Sequence, residues 1–453
     1  MEDLKKLKGS AFFRSVIILA GGTALSQIIM VLALPILTRI YTPDHFGVLA
    51  VYVAALNICS VVACLRFDIA IPIANLDEDA ANLLGLSLLS TIVTSSLFLA
   101  IVLSFPTFVV SMLGKTELKS NLWLLPAGVA LAGSYSALQN WNTRKKNFSA
   151  VSRTRMTQSI AGATTQIGCG SLGYVPLGLL LGQMLSVGAG VFGLGYRFLK
   201  KEPGGVGSVS WRSMWSTCRK YKKFPKYSTL EALTNSAAIQ VPLIMIAASA
   251  VGPEAGYLML AMRIIQAPMS LIGNAISQVY ISEAHENYAG GKFDRFTENI
   301  LEGLFKTGVG PLILFGAIAP KTFEFVFGNG WGRAGWLVMW MTPWFIMQFL
   351  VSPISMALHV TKSQRLALAL QMLGFLSRVG MVAAAIYLFG GFVSEMYAIS
   401  GFIFYVIYFA VILHVSSISM AGVMRIIKST YRALIGWIFV SLVAFYSIRF
   451  GFS

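Results

Sequence analysis

Apolar runs of roughly 18–25 residues recur from one end of this chain to the other, and a helical run of that length spans a hydrocarbon layer at ~1.5 Å per residue. Lipid offers no hydrogen bonds to a backbone, so runs of this kind must close their own ladders as helices. The 453 residues are 56% hydrophobic and 12% charged, whereas soluble domains carry about 25% charged residues. The fold class this dictates is an all-α integral membrane protein that crosses the bilayer many times.

The runs predict spans at residues 13–38, 46–65, 81–105, 122–142, 156–173 and 175–198, then at 229–251, 256–282, 300–323, 334–360, 366–389 and 392–415. This organises the chain as an N-terminal six-helix lobe (1–198), a basic cytoplasmic linker (199–228) and a C-terminal six-helix lobe (229–418). A C-terminal segment (419–453) carries a further apolar run at 433–450, read as a thirteenth span with a surface position as its alternative. Residues 283–299 read as a mixed inner loop turning at Gly290-Gly291. Small residues in the fifth and sixth spans, Gly170, Ser171 and Gly173 among them, read as close helix packing rather than a phosphate loop.

The formal charge of +17 raises the question of a nucleic-acid partner. Topology accounts for it instead. Lys5, Lys6, Lys8 and Arg14 precede the first span, and alternate loops collect Arg144, Lys145, Lys146, Arg153 and Arg155, then Lys200 through Lys226. That is the positive-inside pattern, with the N-terminus cytoplasmic and no nucleic-acid partner required. Within the linker, Trp211 and Trp215 among Lys and Arg suit a stretch lying on anionic membrane lipid. Cys59, Cys64, Cys169 and Cys218 have no zinc spacing and imply no disulfide framework. No cofactor or metal is expected.

Three polar stripes interrupt the apolar spans. In the eighth span Arg263, Gln266, Ser270, Asn274 and Ser277 fall within a sector of roughly 80° at ~100° per residue. Arg263 lies ~14 Å in from the helix start, where a guanidinium costs at least ~2.5 kcal/mol unless it meets water, a partner or a ligand. Pro268 frees a backbone carbonyl that lipid cannot satisfy. In the tenth span Gln348, Ser352, Ser355 and His359 recur at helical spacing, and in the eleventh Gln371, Gly374 and Arg378. Two deep arginines with few carboxylates to neutralise them point to a hydrated cationic cavity. The amides and hydroxyls of Asn235, Gln266, Ser270, Asn274 and Gln348 are the polar groups expected to face it.

A membrane enzyme such as a polysaccharide polymerase needs positioned acids and bases. The outer loops offer only scattered Asp44, His45, Glu117, Glu254 and Glu324. No nucleotide-binding motif is present, so an ion gradient is the expected energy source, with Glu231, Asp68 and Glu395 as the acidic candidates for coupling. Arg66 and Asp68 are also close enough in sequence to pair with each other.

LPILTRIYTPDHFG at 34–47, LRFDIAIPIA at 65–74, QNWNTRKKNFSAVSRTR at 139–155 and AMRIIQAPMSLIGNAISQVY at 261–280 together resemble the oligosaccharide (O-antigen type) flippases. These belong to the multidrug, oligosaccharidyl-lipid and polysaccharide exporter superfamily. The resemblance implies two six-helix lobes around a V-shaped central cavity that opens to each side in turn. It implies as partner a polyprenyl-pyrophosphate-linked oligosaccharide, an O-antigen, capsule or exopolysaccharide repeat unit. This would move from the inner to the outer leaflet of a bacterial inner membrane beside other polysaccharide-assembly proteins. Arg66 and Arg263 are implied to hold the pyrophosphate, and Arg39 matches a family position of less defined role. Arg378 joins them on its depth alone. A flippase for the peptidoglycan precursor shares this physics and stays open as an alternative. A multidrug exporter fits less well, because cationic drugs favour buried carboxylates.

Overall fold

The computed structural model describes residues 2–201, 210–249, 253–361, 363–388 and 392–451, and it is helical with no strand among them. The chain divides into two compact units, Met1–Ala248 and Ser249–Ser453. Eleven of its helical segments are long and apolar enough to cross a membrane, so the chain is a multi-pass helical membrane protein.

The first unit contains α1 (Glu2–Ile40), α2 (Pro43–Ala63), α3 (Asp77–Ser104), α4 (Pro106–Leu113), α5 (Leu124–Arg144), α6 (Phe148–Ser171), α7 (Leu177–Gly188), α8 (Gly190–Lys201), α9 (Trp211–Lys220) and α10 (Thr229–Ser249). Thr42 caps α2 through a reciprocal pair with His45, and Pro43 opens the helix where its missing N–H costs nothing. The expected spans at 122–142 and 156–173 form α5 and α6 but are not among the eleven apolar segments. Their polar side chains are occupied inside the unit instead. Ser26 Oγ on α1 donates to the Arg155 carbonyl at 2.9 Å and pairs with Ser159, while Arg155 donates to Thr23. Gln158 donates to the Val187 carbonyl at 3.1 Å. A helix shielded by neighbours in this way tolerates polarity that a lipid-facing one does not.

Glycines set the spacing between α6, α7 and the end of α1. Tyr41, 1% exposed, donates its hydroxyl to the Gln166 carbonyl at 2.7 Å. A Cβ at Gly178 would lie 2.4 Å from that hydroxyl oxygen, and one at Gly170 2.5 Å. Gly173 serves differently, adopting φ +85° in a turn with open space around it. Gly178→Val is expected to destabilise the unit by roughly 1–3 kcal/mol through overpacking against a hydrogen-bonded ring. A thermal melt in detergent checks this; an unchanged midpoint would mean that the Tyr41 wall yields.

The basic connection between the lobes is not a free tether along its described part. Met214 and Thr217 of α9 are buried on α3, and Tyr221 and Phe224 pack against the apolar core around Phe67, Ile71 and Trp141. Lys220 Nζ donates to Asp79 Oδ2 at 2.5 Å, and this carboxylate holds the ammonium above its ordinary range. Farther along, Gly114 (φ +70°) abuts Ala248, where an added Cβ would lie 2.3 Å from its Cα. These contacts attach α10 to the first unit, so the units divide after residue 248, one helix beyond residues 199–228.

The second unit contains α11 (Glu254–Ala289), α12 (Phe293–Leu304), α13 (Gly310–Phe327), α14 (Gly332–Val351), α15 (Ala357–Val360), α16 (Gln364–Leu388), α17 (Val393–Val415) and α18 (Met420–Gly451). The expected inner loop at 283–299 is largely helix, because α11 continues to Ala289. Only the Gly290-Gly291 turn, with Gly291 at φ +67°, separates it from α12. Close packing again rests on absent side chains. Gly316 receives Thr342, Gly401 receives Trp344 and Gly310 receives Trp437 of α18. That last helix is continuous, and its segment Met420–Ser447 is long and apolar enough to cross.

Candidate functional site

In the first unit the chain reverses after α2 through Leu65 (φ 47°) and Arg66 (φ 61°), left-handed conformations that non-glycine residues seldom adopt. A 3-10 turn at Asp68–Ile73 follows. Arg144 anchors the segment from outside. Its Nη1 donates to the Ile71 and Ala74 carbonyls at 3.2 and 2.5 Å, and its Nε and Nη2 reach Asp77 Oδ1 at 3.0 and 2.9 Å. Lys145 donates to the other Asp77 oxygen at 2.9 Å. Part of the chain's basic charge thus clamps the acidic first turn of α3, a position where carboxylates also suit the helix dipole.

The reversal carries Arg66 and Asp68 to the wall of a cavity of about 210 Å³, with Asn57, Ser60, Cys64 and Ser136. Asp68 is 5% exposed. Its Oδ2 accepts from Ser136 Oγ at 2.6 Å, while Oδ1 has no partner among the described residues. No ion pair joins Arg66 to Asp68 among the described residues, and the buried Arg66 Nε is unpartnered. The simple pairing that their spacing allowed is therefore not what the fold makes. A half-buried guanidinium and a buried carboxylate instead share one small polar cavity. Arg39 stands exposed in the last turn of α1, and Glu231 and Asn235 are exposed on α10.

In the second unit α11 carries the longest stripe. Arg263 and Ser270 are half-buried, Gln266 is exposed, and Ser270 Oγ donates to the Ala267 carbonyl at 3.0 Å. Asn274 lies on the same helix, but its side chain is outside the described residues. Gln348 on α14 is half-buried, with its Oε1 unpartnered among the described residues.

Two predicted residues, Arg378 and Glu395, are engaged by other side chains. Arg378 is 7% exposed, with its guanidinium over the rings of Phe404 (4.7 Å), Trp344 (5.8 Å) and Tyr405 (5.9 Å). Three aromatic faces supply the attraction that a carboxylate or a ligand was expected to supply. Glu395 is 4% exposed and bound, its Oε1 accepting from Arg333 Nη2 at 2.5 Å. Arg333 also donates to both Glu254 oxygens, at 2.8 and 3.4 Å. This Glu254–Arg333–Glu395 cluster ties together the starts of α11, α14 and α17. Sequence reasoning missed it, because the three positions are separated by 79 and 62 residues and share no periodicity. The one available signal was a set of charged residues at the starts of three predicted spans.

Among the described residues, no group of three or more His, Cys, Asp or Glu is placed to hold a metal ion. The arrangement offers cations, hydroxyls and amides at membrane depth, which is equipment for binding an anionic polar head group.

A family model described as polysaccharide biosynthesis protein matches residues 36–334. No curated protein matches in sequence. Among solved structures, the lipid II flippase MurJ in an inward closed conformation aligns with a TM-score of 0.74 at 12% identity, over 95% of this chain and 97% of that one. A MATE structure in complex with MaL6 gives 0.54 at 13% identity over 92% and 97%. A MOP superfamily transporter from Pyrococcus furiosus, described as having a binding pocket of reversed polarity, gives 0.55 at 14% identity over 91% and 95%. At these identities the likeness is one of fold.

Proposed function

Because this chain belongs to the polysaccharide biosynthesis protein family, we propose that it is a flippase for an oligosaccharide carried on undecaprenyl pyrophosphate, working in a bacterial inner membrane. The observation that carries this reading is the Arg66 cavity, where a guanidinium without an ion-pair partner among the described residues faces hydroxyl and amide groups. A pyrophosphate crossing an apolar slab needs such a resting place. Arginine binds it bidentately and keeps its charge, while the polyprenyl tail stays in lipid. Arg263 is the second proposed pyrophosphate contact, with Gln266 and Ser270 beside it on α11. Arg39 is exposed enough to meet the head group on its way.

Asp68 gives the proposal its energy coupling. An ionised Asp68 and a bound pyrophosphate in the same cavity repel each other. Proton or cation uptake at the unpartnered Oδ1 therefore favours head-group binding, and release of one favours release of the other. Glu395 is engaged with Arg333 and Glu231 is exposed, so neither is as well placed for this task.

The fold likeness to a lipid II flippase supports a second reading, transport of the peptidoglycan precursor. The test is a flip assay in liposomes containing purified protein, with fluorescent undecaprenyl pyrophosphate bearing a short oligosaccharide in one set and lipid II in the other. Movement of the oligosaccharide lipid, faster than that of lipid II, is the expected result. The opposite order would favour the second reading, and movement of neither would remove both.

A further inference from the structure

The polar stripe of α14 extends beyond the helix end at Val351. It continues through the 3-10 turn Ser352–Ile354 to Ser355 and His359, and Ser352 and His359 are exposed although the segment is apolar enough to cross a membrane. Facing the stripe is a row of rings on α17. Tyr405 and Tyr408 are half-buried and nearly parallel, at 15° with centroids 6.3 Å apart, and Phe404 is fully buried between them and α16. The Tyr405 hydroxyl lies near Ser352 and the Arg378 guanidinium, and that of Tyr408 lies near Ser355. The fold holds this arrangement firmly. A Cβ at Gly374 would meet Phe404 at 2.7 Å, and one at Gly401 would meet Trp344 at 2.3 Å. Arg378 lies behind the rings, enclosed by Phe404, Tyr405 and Trp344.

We propose that Tyr405, Tyr408, Ser352, Ser355 and Gln348 form a sugar-binding platform that takes the uncharged glycan part of the substrate, separate from the arginines that hold its pyrophosphate. Ser355 Oγ already donates to the Ser352 carbonyl at 2.8 Å, whereas the exposed Ser352 hydroxyl gains at membrane depth from water or a polar ligand. Tyrosine combines an apolar face, on which the C–H side of a pyranose lies, with a hydroxyl that exchanges hydrogen bonds with sugar hydroxyls. The charge pattern separates this surface from an anion site. Arg378 is enclosed among rings, and the five residues of the platform are themselves neutral. Arg378 acts here as a positioning residue, gripping Phe404 and Tyr405 from behind. The proposal rests on the oligosaccharide-lipid reading above and names where that substrate's glycan docks.

The test compares binding of two lipids by the purified protein in native mass spectrometry: bare undecaprenyl pyrophosphate, and the same lipid carrying a short oligosaccharide. Wild type is expected to prefer the glycan-bearing lipid, and Tyr408→Ala to reduce that preference by about tenfold. Ser352→Ala combined with Ser355→Ala leaves the rings in place and should move the preference the same way by less. It serves as the second variant if Tyr408→Ala melts early. Equal preference in wild type would overturn the platform, as would a Tyr408→Ala variant that weakens both lipids alike while the serine variant changes nothing. Wild type that binds neither lipid would instead overturn the oligosaccharide-lipid reading, and the platform with it.

Discussion

Arg333→Ala is expected to be among the most destabilising single substitutions in the second unit. Arg333 Nη2 bridges Glu254 Oε1 at 2.8 Å and Glu395 Oε1 at 2.5 Å, and its loss leaves two carboxylates facing each other. The Glu395 side chain is only 6% exposed, and its second oxygen has no partner among the described residues. Breaking a buried ion pair costs about 3–5 kcal/mol, because the remaining charge stays desolvated. The arginine itself is 36% exposed, which pulls the expected loss down to ~2–3 kcal/mol. The loss should appear as a lower melting midpoint in detergent. Adding Glu395→Gln to Arg333→Ala should restore part of it, since a neutral amide no longer needs the cation. If Arg333→Ala melts with wild type, the cluster is not what holds the starts of α11, α14 and α17 together.

Transport should fail in a graded way at Arg263. A charge-assisted hydrogen bond to phosphate is worth ~1.5–3 kcal/mol, roughly 10- to 150-fold in a binding constant. Arg263→Ala is therefore expected to slow flipping of the pyrophosphate-linked oligosaccharide by at least about tenfold. Arg263→Lys should keep part of the rate, because it restores the charge but not the planar pair of donors. Folding is controlled for by the melting midpoint of each variant. Undiminished flipping in both variants would make Arg263 a packing or gating residue and leave the pyrophosphate to Arg66.

How much of this was legible before folding varies by element, and the reason is periodicity. A run of 18–25 apolar residues reports its own state, since nothing but a helix satisfies its backbone in lipid. The prolines at 43 and 268 and the glycine pair at 290–291 were readable for the same local reason. Polar helices were harder. α6 carries side chains whose partners lie on α1 and α7, so its sequence alone does not say whether the polarity meets water or protein. Arg66 and Asp68 show the limit at a site. Two residues apart in sequence, they looked like a pair, yet left-handed backbone at Leu65 and Arg66 sends Asp68 to Ser136 on α5.

The chain by itself determined that it is helical and membrane-embedded, and that arginines and amides lie at membrane depth. These are consequences of length, hydropathy and a helical repeat, all local quantities. Only the tertiary structure decided which of those charges remain available. It enclosed Arg378 among Trp344, Phe404 and Tyr405, tied Glu395 to Arg333, and gave Arg66 a cavity without an ion pair to Asp68. The partner of a buried charge is set by side chains tens of residues away, and no periodicity in one helix records what its neighbour presents.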